Sequence, residues 1–313
     1  MKFIKVIWLS LLLVAIGCKN KKEQDKELQE IKSERLSIQV QGHRGDRGNF
    51  PENSIPAFLS AVKKDADVIE LDVVISKDNK VVVSHEPFMH SLYVSTPSGD
   101  TISEENQENF NLYEMTYDSI RRFDVGSKGN SLFPDQQKQK TYKPLLAEAI
   151  DSVENFILKN KLEPVKYNIE LKSSENEYGI FQPNPKEFVA LVMQVIEEKG
   201  LENKMNLQSF DVNILNEIHA SYPEVETAYL VYIEGIQRNL DLLNFQPEIY
   251  SPNYGLVKDS AFVDSIKDMD MKLIPWTVNE PEAIKKMIEL EVDGIITDYP
   301  ERVLQFLESE INR

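Results

Sequence analysis

One short connection constrains this chain more than any other feature. Residues 68–75 and 80–84 are both apolar, β-branched strand candidates, and only four residues, 76–79, separate them. A parallel crossover needs about a dozen residues or more, so these two strands must pair antiparallel as a hairpin. From residue 37 onward the rest of the chain alternates between strand and helix patterns. The other strand candidates are 37–41, 165–171, 205–208, 227–232, 248–251, 272–277 and 294–297. Helix candidates lie at 55–64, 145–159, 185–199, 212–221, 235–243, 258–268, 281–290 and 300–308. Pro281 and Pro300 fall in first turns, with Asn279 and Asp298 before them as expected caps. Strand–helix alternation implies a parallel sheet. Nine strand candidates, less the one that returns in the hairpin, leave the eight of a closed barrel. The expected fold is therefore α/β, a (β/α)8 TIM-like barrel carrying one antiparallel hairpin.

Residues 87–143 do not follow the alternation. They are polar and carry turn signals such as Pro97-Ser98-Gly99. A structureless loop of that length is unusual inside a compact domain, so the stretch reads as an inserted subdomain or lid, with a short helix near 116–122. No internal repeat is evident.

The N-terminus is a separate problem. Lys2 and Lys5 precede an apolar run at 6–16, followed by Gly17 and Cys18, the single cysteine. The run is well short of the roughly 20 residues a bilayer requires, so it reads as a signal peptide. The small residue before Cys18 resembles a bacterial lipobox, with Ala15 where Leu is usual. That resemblance implies lipidation at Cys18. Residues 1–17 are then a signal peptide, 18–37 a charged tether with a short helical turn at 27–35, and 38–313 the barrel, with 86–143 inserted. The expected location is extracytoplasmic, lipid-anchored to a bacterial membrane. Acidic residues outnumber Lys and Arg by 52 to 35, a formal net charge of -17. That balance repels polyanions and argues against a nucleic-acid partner; no protein partner is expected. A site that handles phosphate in such a chain needs local positive charge.

Four short segments carry chemistry. Gly42-His43-Arg44-Gly45 ends the first strand, where barrels place their active sites. A histidine moves protons near neutral pH, and an arginine holds a phosphate oxygen. Taken alone, the segment is equally a surface turn. Glu70-Leu71-Asp72 puts two carboxylates on one face of an apolar strand, since residues i and i+2 point the same way. Buried carboxylates are costly unless paired or bound to a metal. Ser84-His85-Glu86-Pro87 is tied to that pair by the hairpin. A turn centred between Asp78 and Asn79 sets His85 opposite Asp72. Glu170-Leu171-Lys172 repeats the parity on another strand; it adds a third carboxylate and supplies positive charge at Lys172. A surface salt bridge is its bland alternative. Three carboxylates without clustered cysteines favour a hard divalent cation, Ca²⁺ or Mg²⁺, over zinc.

The ordered set of segments resembles the glycerophosphodiester phosphodiesterase family. The matching residues are His43-Arg44-Gly45, Pro51-Glu52-Asn53-Ser54, Glu70-Leu71-Asp72, Val82-Val83-Ser84-His85, Glu170-Leu171-Lys172, Gln208-Ser209-Phe210, Trp276-Thr277-Val278-Asn279 and the run from Asp293 to Asp298. The resemblance implies a barrel with an insertion after the second histidine. It implies acid–base histidines at His43 and His85, metal ligands at Glu70, Asp72 and Glu170, and phosphate contacts from Arg44 and Lys172. Glu52 and Asn53 would support the metal site or the first histidine. Trp276 would line the substrate pocket, and Gln208 and Asn279 would take supporting roles. Two departures stand out: Glu86 where the family usually has Asp, and Asn79 where Gly is common. The implied substrate is a small glycerophosphodiester, cleaved to glycerol 3-phosphate and an alcohol. A phospholipase D-like activity on intact or lyso lipids, with an apolar rim on the insertion, and a non-catalytic binding lipoprotein are the alternatives.

Overall fold

A computed structural model of the chain describes residues 38–311. The expected signal peptide, tether and helical turn at 27–35, and Cys18 with them, lie outside the described residues. The strands are β1 (Gln39–Gly42), β2 (Val68–Ile75), β3 (Val81–Val83), β4 (Lys166–Leu171), β5 (Met205–Ser209), β6 (Thr227–Val231), β7 (Ile249–Pro252), β8 (Lys272–Leu273) and β9 (Gly294–Thr297). They form one sheet in the order β8-β7-β6-β5-β4-β2-β1-β9, every neighbouring pair parallel, with β3 antiparallel on β2. The two ends of that order meet through backbone bonds. Asp293 N donates to Leu273 O, Ile296 N to Pro275 O, and Val278 N to Ile296 O, at 2.9–3.0 Å. The result is a nearly closed barrel of eight parallel strands with helices around it.

Alternation along each strand decides what faces where. Val40 on β1, Leu71 and Val73 on β2, Ile169 and Leu171 on β4, and Leu207 on β5 point outward. There they meet helical residues at i, i+3 and i+4 spacing, such as Leu146, Ile150, Val153 and Ile157 of the helix Leu146–Asn160, and Phe188, Val192 and Ile196 of Pro185–Lys199. Between them lies the main apolar core. The barrel interior is different. On β1, β4 and β5 it is lined by amides: Gln41, Asn168 and Gln208 form a hydrogen-bonded chain at 2.8–3.0 Å, and Asn206 donates to Asn168 at 2.6 Å. Across the barrel the lining is aliphatic, from Ala228, Ile249, Ile274 and Ile296.

Four details depart from the sequence reading. The hairpin loop is 77–79, with Ser76 N donating to Lys80 O at 3.0 Å and Asn79 in the left-handed region at φ 56°. A two-residue type I′ turn would need positive φ at two successive residues, and Asp78 does not supply one. The register therefore shifts by one: Val73 faces Val83, and Ser84 rather than His85 lies opposite Asp72, its N–H donating to Asp72 O at 3.0 Å. The eighth strand, expected at 272–277, is only Lys272–Leu273, because Pro275 has no N–H for the ladder. The expected helix at 235–243 is the single turn Ile236–Leu240. Pro281 and Pro300 do open helices, Pro281–Glu289 and Pro300–Ile311, but Asn279 and Asp298 do not cap them; their side chains bind each other instead.

The stretch at 87–143 packs as a unit over the hairpin. It contains the 3₁₀ turns Glu104–Phe110 and Leu112–Glu114 and the short helix Tyr117–Ile120. Met89, Tyr93, Val94, Ile102, Leu112, Tyr117, Ile120, Phe123 and Val125 bury themselves against Val74 and Val82, the hairpin residues that stand above the barrel mouth.

Candidate active site

The interior parity of β2 and β4 builds the centre of the site. Asp72 pairs with Glu170 in register, and Glu70 lies one interior step below. One carboxylate oxygen from each of Glu70, Asp72 and Glu170 lies within 4.8 Å of the others, and all three residues are buried. Each is held. Gln208 Nε2 and the Arg44 backbone N–H donate to the two oxygens of Glu70, both at 2.8 Å. Asn53 Nδ2 donates to Asp72 Oδ2 at 2.7 Å, and Asn53 Oδ1 accepts from Asp72 N. Lys172 donates to Glu170 at 2.6 Å. Asp72 Oδ1 is buried without a hydrogen bond, its closest cation Lys172 at 3.9 Å. Burial and the neighbouring carboxylates Asp72 and Glu170 push Glu70 well above the usual carboxylate range, and Glu170 is pushed up to about 7 by burial, against the pull of Lys172. Burial opposes ionisation of Asp72 too, but His85, Arg44 and Lys172 outweigh it and hold it far below that range. A converging all-oxygen set with one orphaned buried oxygen fits a hard divalent cation.

Two histidines stand at the rim of this cluster, each backed by a carboxylate. His43 Nδ1 lies 2.7 Å from Asp298 Oδ1, and His85 Nδ1 lies 2.8 Å from Glu86 Oε1. Burial lowers both imidazoles below their ordinary value, despite those carboxylates, which favours the neutral ring. A neutral ring facing a carboxylate through Nδ1 carries its proton there and leaves Nε2 as a lone pair. Glu86 is itself fixed by the insertion: Tyr93 OH donates to its second oxygen at 2.5 Å, while buried Lys143 donates to Ser84 Oγ at 2.7 Å.

Backbone shape puts His43 in place. Arg44 and Gly45 take positive φ, 52° and 83°, which turns the chain sharply after β1. A Cβ on Gly45 would meet the backbone of Ala57 at 2.7 Å, so only glycine fits. The Arg44 guanidinium donates to Glu52 at 2.7 Å and lies 3.3 Å from Asp72, with its Nε making no hydrogen bond. Glu52 binds neither the carboxylate cluster nor His43; it holds Arg44 and Arg47 together, accepting from Arg47 Nε at 2.8 Å. Arg47, which lines the cleft, and Asp298, which backs His43, are residues to which the sequence reading gave no site role. The only local signal for Arg47 was a second arginine in a short glycine-flanked segment.

His43, Arg44, Arg47, Glu70, His85, Glu170 and Gln208 line one cleft of about 160 Å³, whose far wall is Phe210, Leu230, Trp276 and Ile296. Trp276 is fixed by its indole N–H on Ser251 O at 2.9 Å and stands edge-on to Phe210, ring centres 5.4 Å apart. Asn279 does not reach the cleft; it donates to Asp298 at 2.6 Å. Lys172 reaches the cluster through Glu170 and lies 5.8 Å from the centre of the Phe210 ring.

A parallel barrel with this mouth, where two imidazoles and two arginines surround buried carboxylates, fits a hydrolase of phosphoric esters. The comparisons narrow that class. Residues 43–302 match the model of the glycerophosphoryl diester phosphodiesterase family, and the chain belongs to it. A glycerophosphodiester phosphodiesterase of Bacillus altitudinis is 30% identical over 267 residues, covering 85% of this chain and 96% of its own. A solved Silicibacter pomeroyi structure assigned to the same class superposes with TM-score 0.77 at 27% identity, covering 87% of this chain and 94% of that one. An Oleispira antarctica phosphodiesterase, solved in complex with sn-glycerol-3-phosphate, shares the fold with TM-score 0.67 at 22% identity, covering 88% and 97%. The activity is glycerophosphodiester hydrolysis.

Proposed function

We propose that this enzyme cleaves its glycerophosphodiester to glycerol 3-phosphate and an alcohol by acid–base chemistry shared between His43 and His85. The observation that carries the reading is the pair of carboxylate-backed imidazoles at one cleft, over the three-carboxylate cluster. One imidazole Nε2 takes the proton of the attacking hydroxyl as its oxygen bonds to phosphorus. The other, protonated, returns a proton to the alcohol oxygen as the second P–O bond breaks. The same arrangement serves water or the glycerol 2-hydroxyl as nucleophile, the latter through a cyclic phosphate that water opens. Arg44 and Arg47 face the cleft and neutralise phosphate oxygens. Glu70, Asp72 and Glu170 would hold one divalent cation, Ca²⁺ or Mg²⁺, by the hardness of their oxygens. When bound, that ion supplies Lewis-acid charge to the phosphoryl group. The signal-like segment ending at Cys18 supports an extracytoplasmic enzyme anchored to a bacterial membrane by its N-terminal lipid, close to lipid-derived diesters.

The test is turnover of glycerophosphocholine, glycerophosphoethanolamine and glycerophosphoinositol, with and without EDTA, by the wild type, His43→Ala and His85→Ala. Each substitution is expected to cost at least about 100-fold in kcat. Normal turnover by either variant would remove that histidine from the chemistry, and EDTA-insensitive turnover would remove the cation.

A further inference from the structure

The insertion does not carry the expected apolar rim: Tyr93 is buried in that unit's core, and Leu92 and Phe110 pack against it. What it turns toward the chemistry is polar. The two histidines are held in different ways. His43 is backed by Asp298, just past the end of β9, and its side chain is 13% exposed. His85 lies beyond the end of β3, and its side chain is 31% exposed, so packing alone leaves the ring free to turn.

The orientation of that ring depends on Glu86 Oε1, 2.8 Å from Nδ1. A glutamate has one more rotatable bond than the aspartate usual in the family, and every free rotor loosens what it holds. Here both ends of the residue are tied down from the insertion. At the carboxylate end, Tyr93 OH donates to Oε2 at 2.5 Å, so both oxygens are engaged. Burial and the Glu86 charge push the Tyr93 hydroxyl well above its ordinary value, which keeps its proton in place for donation. The Tyr93 ring is stacked on His90, ring centres 5.5 Å apart. At the backbone end, Ser84 Oγ donates to Glu86 O at 2.5 Å. A hydroxyl has one proton, and Lys143 decides its direction. An ammonium only donates, so the 2.7 Å bond from Lys143 to Ser84 Oγ leaves the serine proton for Glu86 O. Lys143 is buried to do this, at a desolvation cost that a surface lysine does not incur.

We propose that Tyr93 and Lys143 of the insertion are positioning residues of the hydrolysis: Tyr93 fixes the Glu86 carboxylate on His85 Nδ1, and Lys143 directs the Ser84 hydroxyl that fixes the Glu86 backbone. The assignment rests on the acid–base reading above and extends its machinery into the insertion. Neither residue touches substrate; both act through Glu86 on the tautomer and aim of the imidazole.

The experiment measures kcat and KM for glycerophosphocholine, with ¹⁵N imidazole shifts and melting temperatures, in Tyr93→Phe, Glu86→Ala and the double variant. Tyr93→Phe removes one oxygen and keeps the ring. It should cost about tenfold in kcat, the lower end of what a hydrogen bond to a charged group is worth, with KM within about twofold and the His85 proton no longer confined to Nδ1. In the Glu86→Ala background the same substitution should cost nothing further. Turnover by Tyr93→Phe within about twofold of wild type, unchanged His85 shifts, or an undiminished loss in the Glu86→Ala background each overturns the Tyr93 assignment. Ser84→Ala, Lys143→Met and their double variant test the other arm. Each single substitution should lower kcat, and the double should cost no more than the larger single loss. Additive losses, or wild-type kcat in either single variant, overturn the Lys143 assignment. Normal turnover by His85→Ala is a different result: it removes that histidine, and with it the acid–base reading on which both assignments rest.

Discussion

Replacing Asp298 by Asn is a stringent test of how His43 is made basic, because the structure dictates which way the new amide must turn. Asn279 Oδ1 accepts from the backbone N–H of Asp298 at 2.9 Å and from Thr297 Oγ1 at 3.2 Å, which fixes its amide. Asn279 Nδ2 therefore donates, to Asp298 Oδ2 at 2.6 Å. An Asn at 298 must place its oxygen there and its NH₂ where Oδ1 now faces His43 Nδ1. That nitrogen then accepts instead of donating, the ring proton moves to Nε2, and the lone pair leaves the cleft. Turning the amide over would restore the tautomer but set two NH₂ groups against each other at 2.6 Å. A tautomer inversion of this kind removes general-base catalysis, a loss of about 10²–10⁴-fold in kcat, or about 3–5 kcal/mol. The Michaelis constant should change less than kcat, since the cleft residues beside Asp298 are His43 and, at 3.7 Å, Arg47, whose main partner is Glu52. The assay is choline release from glycerophosphocholine, with ¹⁵N imidazole shifts to report the tautomer. If Asp298→Asn kept kcat within about threefold, with the ring proton moved to Nε2, His43 would not act as a base through that nitrogen.

Three further outcomes follow from the same geometry. Added Ca²⁺ or Mg²⁺ should raise the melting temperature of EDTA-treated protein, with about 2.7 kcal/mol gained at a hundredfold excess over Kd, and Asp72→Asn should abolish the shift; equal stabilisation of the variant would place the ion elsewhere. Gly45→Ala forces a Cβ to 2.7 Å from the Ala57 backbone at φ 83°, and urea unfolding should show a loss of about 2–4 kcal/mol; a loss below about 0.5 kcal/mol would mean that the turn relaxes freely. Burial alone would raise Asp298, but His43, Arg47 and Asn279 outweigh it and hold it at about 2. A depressed carboxyl contributes stability that is fully present above its unfolded value near pH 4 and lost as pH falls through about 2. Wild type should therefore lose about 2 kcal/mol relative to Asp298→Asn across that window, and parallel pH profiles of unfolding would refute the pairing.

How much of this was legible in the sequence depended on whether the deciding interaction was local. β2 was bounded correctly at both ends because eight consecutive buried residues carry the strand signal without interruption. Parity paired Glu70 with Asp72 on one strand and Glu170 with Lys172 on another, since alternation within one strand needs no tertiary information, while the joint role of the three carboxylates came from the family resemblance. β8 was overextended because an apolar run containing Pro275 reads as a strand until the missing donor is counted. The core of the insertion was invisible, because its apolar residues have no period and acquire a common face only when seated on Val74 and Val82. Asp298 was read as a cap because its carboxylate reaches His43 across 255 residues, and no local pattern encodes that reach.

The hairpin separates a correct conclusion from the reason given for it. A one-residue slip exchanges the two faces of a strand, so a register error at His85 should have sent it away from the carboxylates. It did not, because His85 lies beyond the ladder: β3 ends at Val83, and Ser84 closes the pairing opposite Asp72. What turns His85 toward the cleft is the bend that follows. Ser84 Oγ donates to Glu86 O at 2.5 Å, Lys143 donates to Ser84 Oγ, and Tyr93 holds the Glu86 carboxylate that faces the imidazole. Two of those three anchors come from the insertion. The stretch that looked least structured in the sequence therefore sets the second histidine, and the longer Glu86 side chain, where the family usually has Asp, is held by Tyr93 from that same insertion.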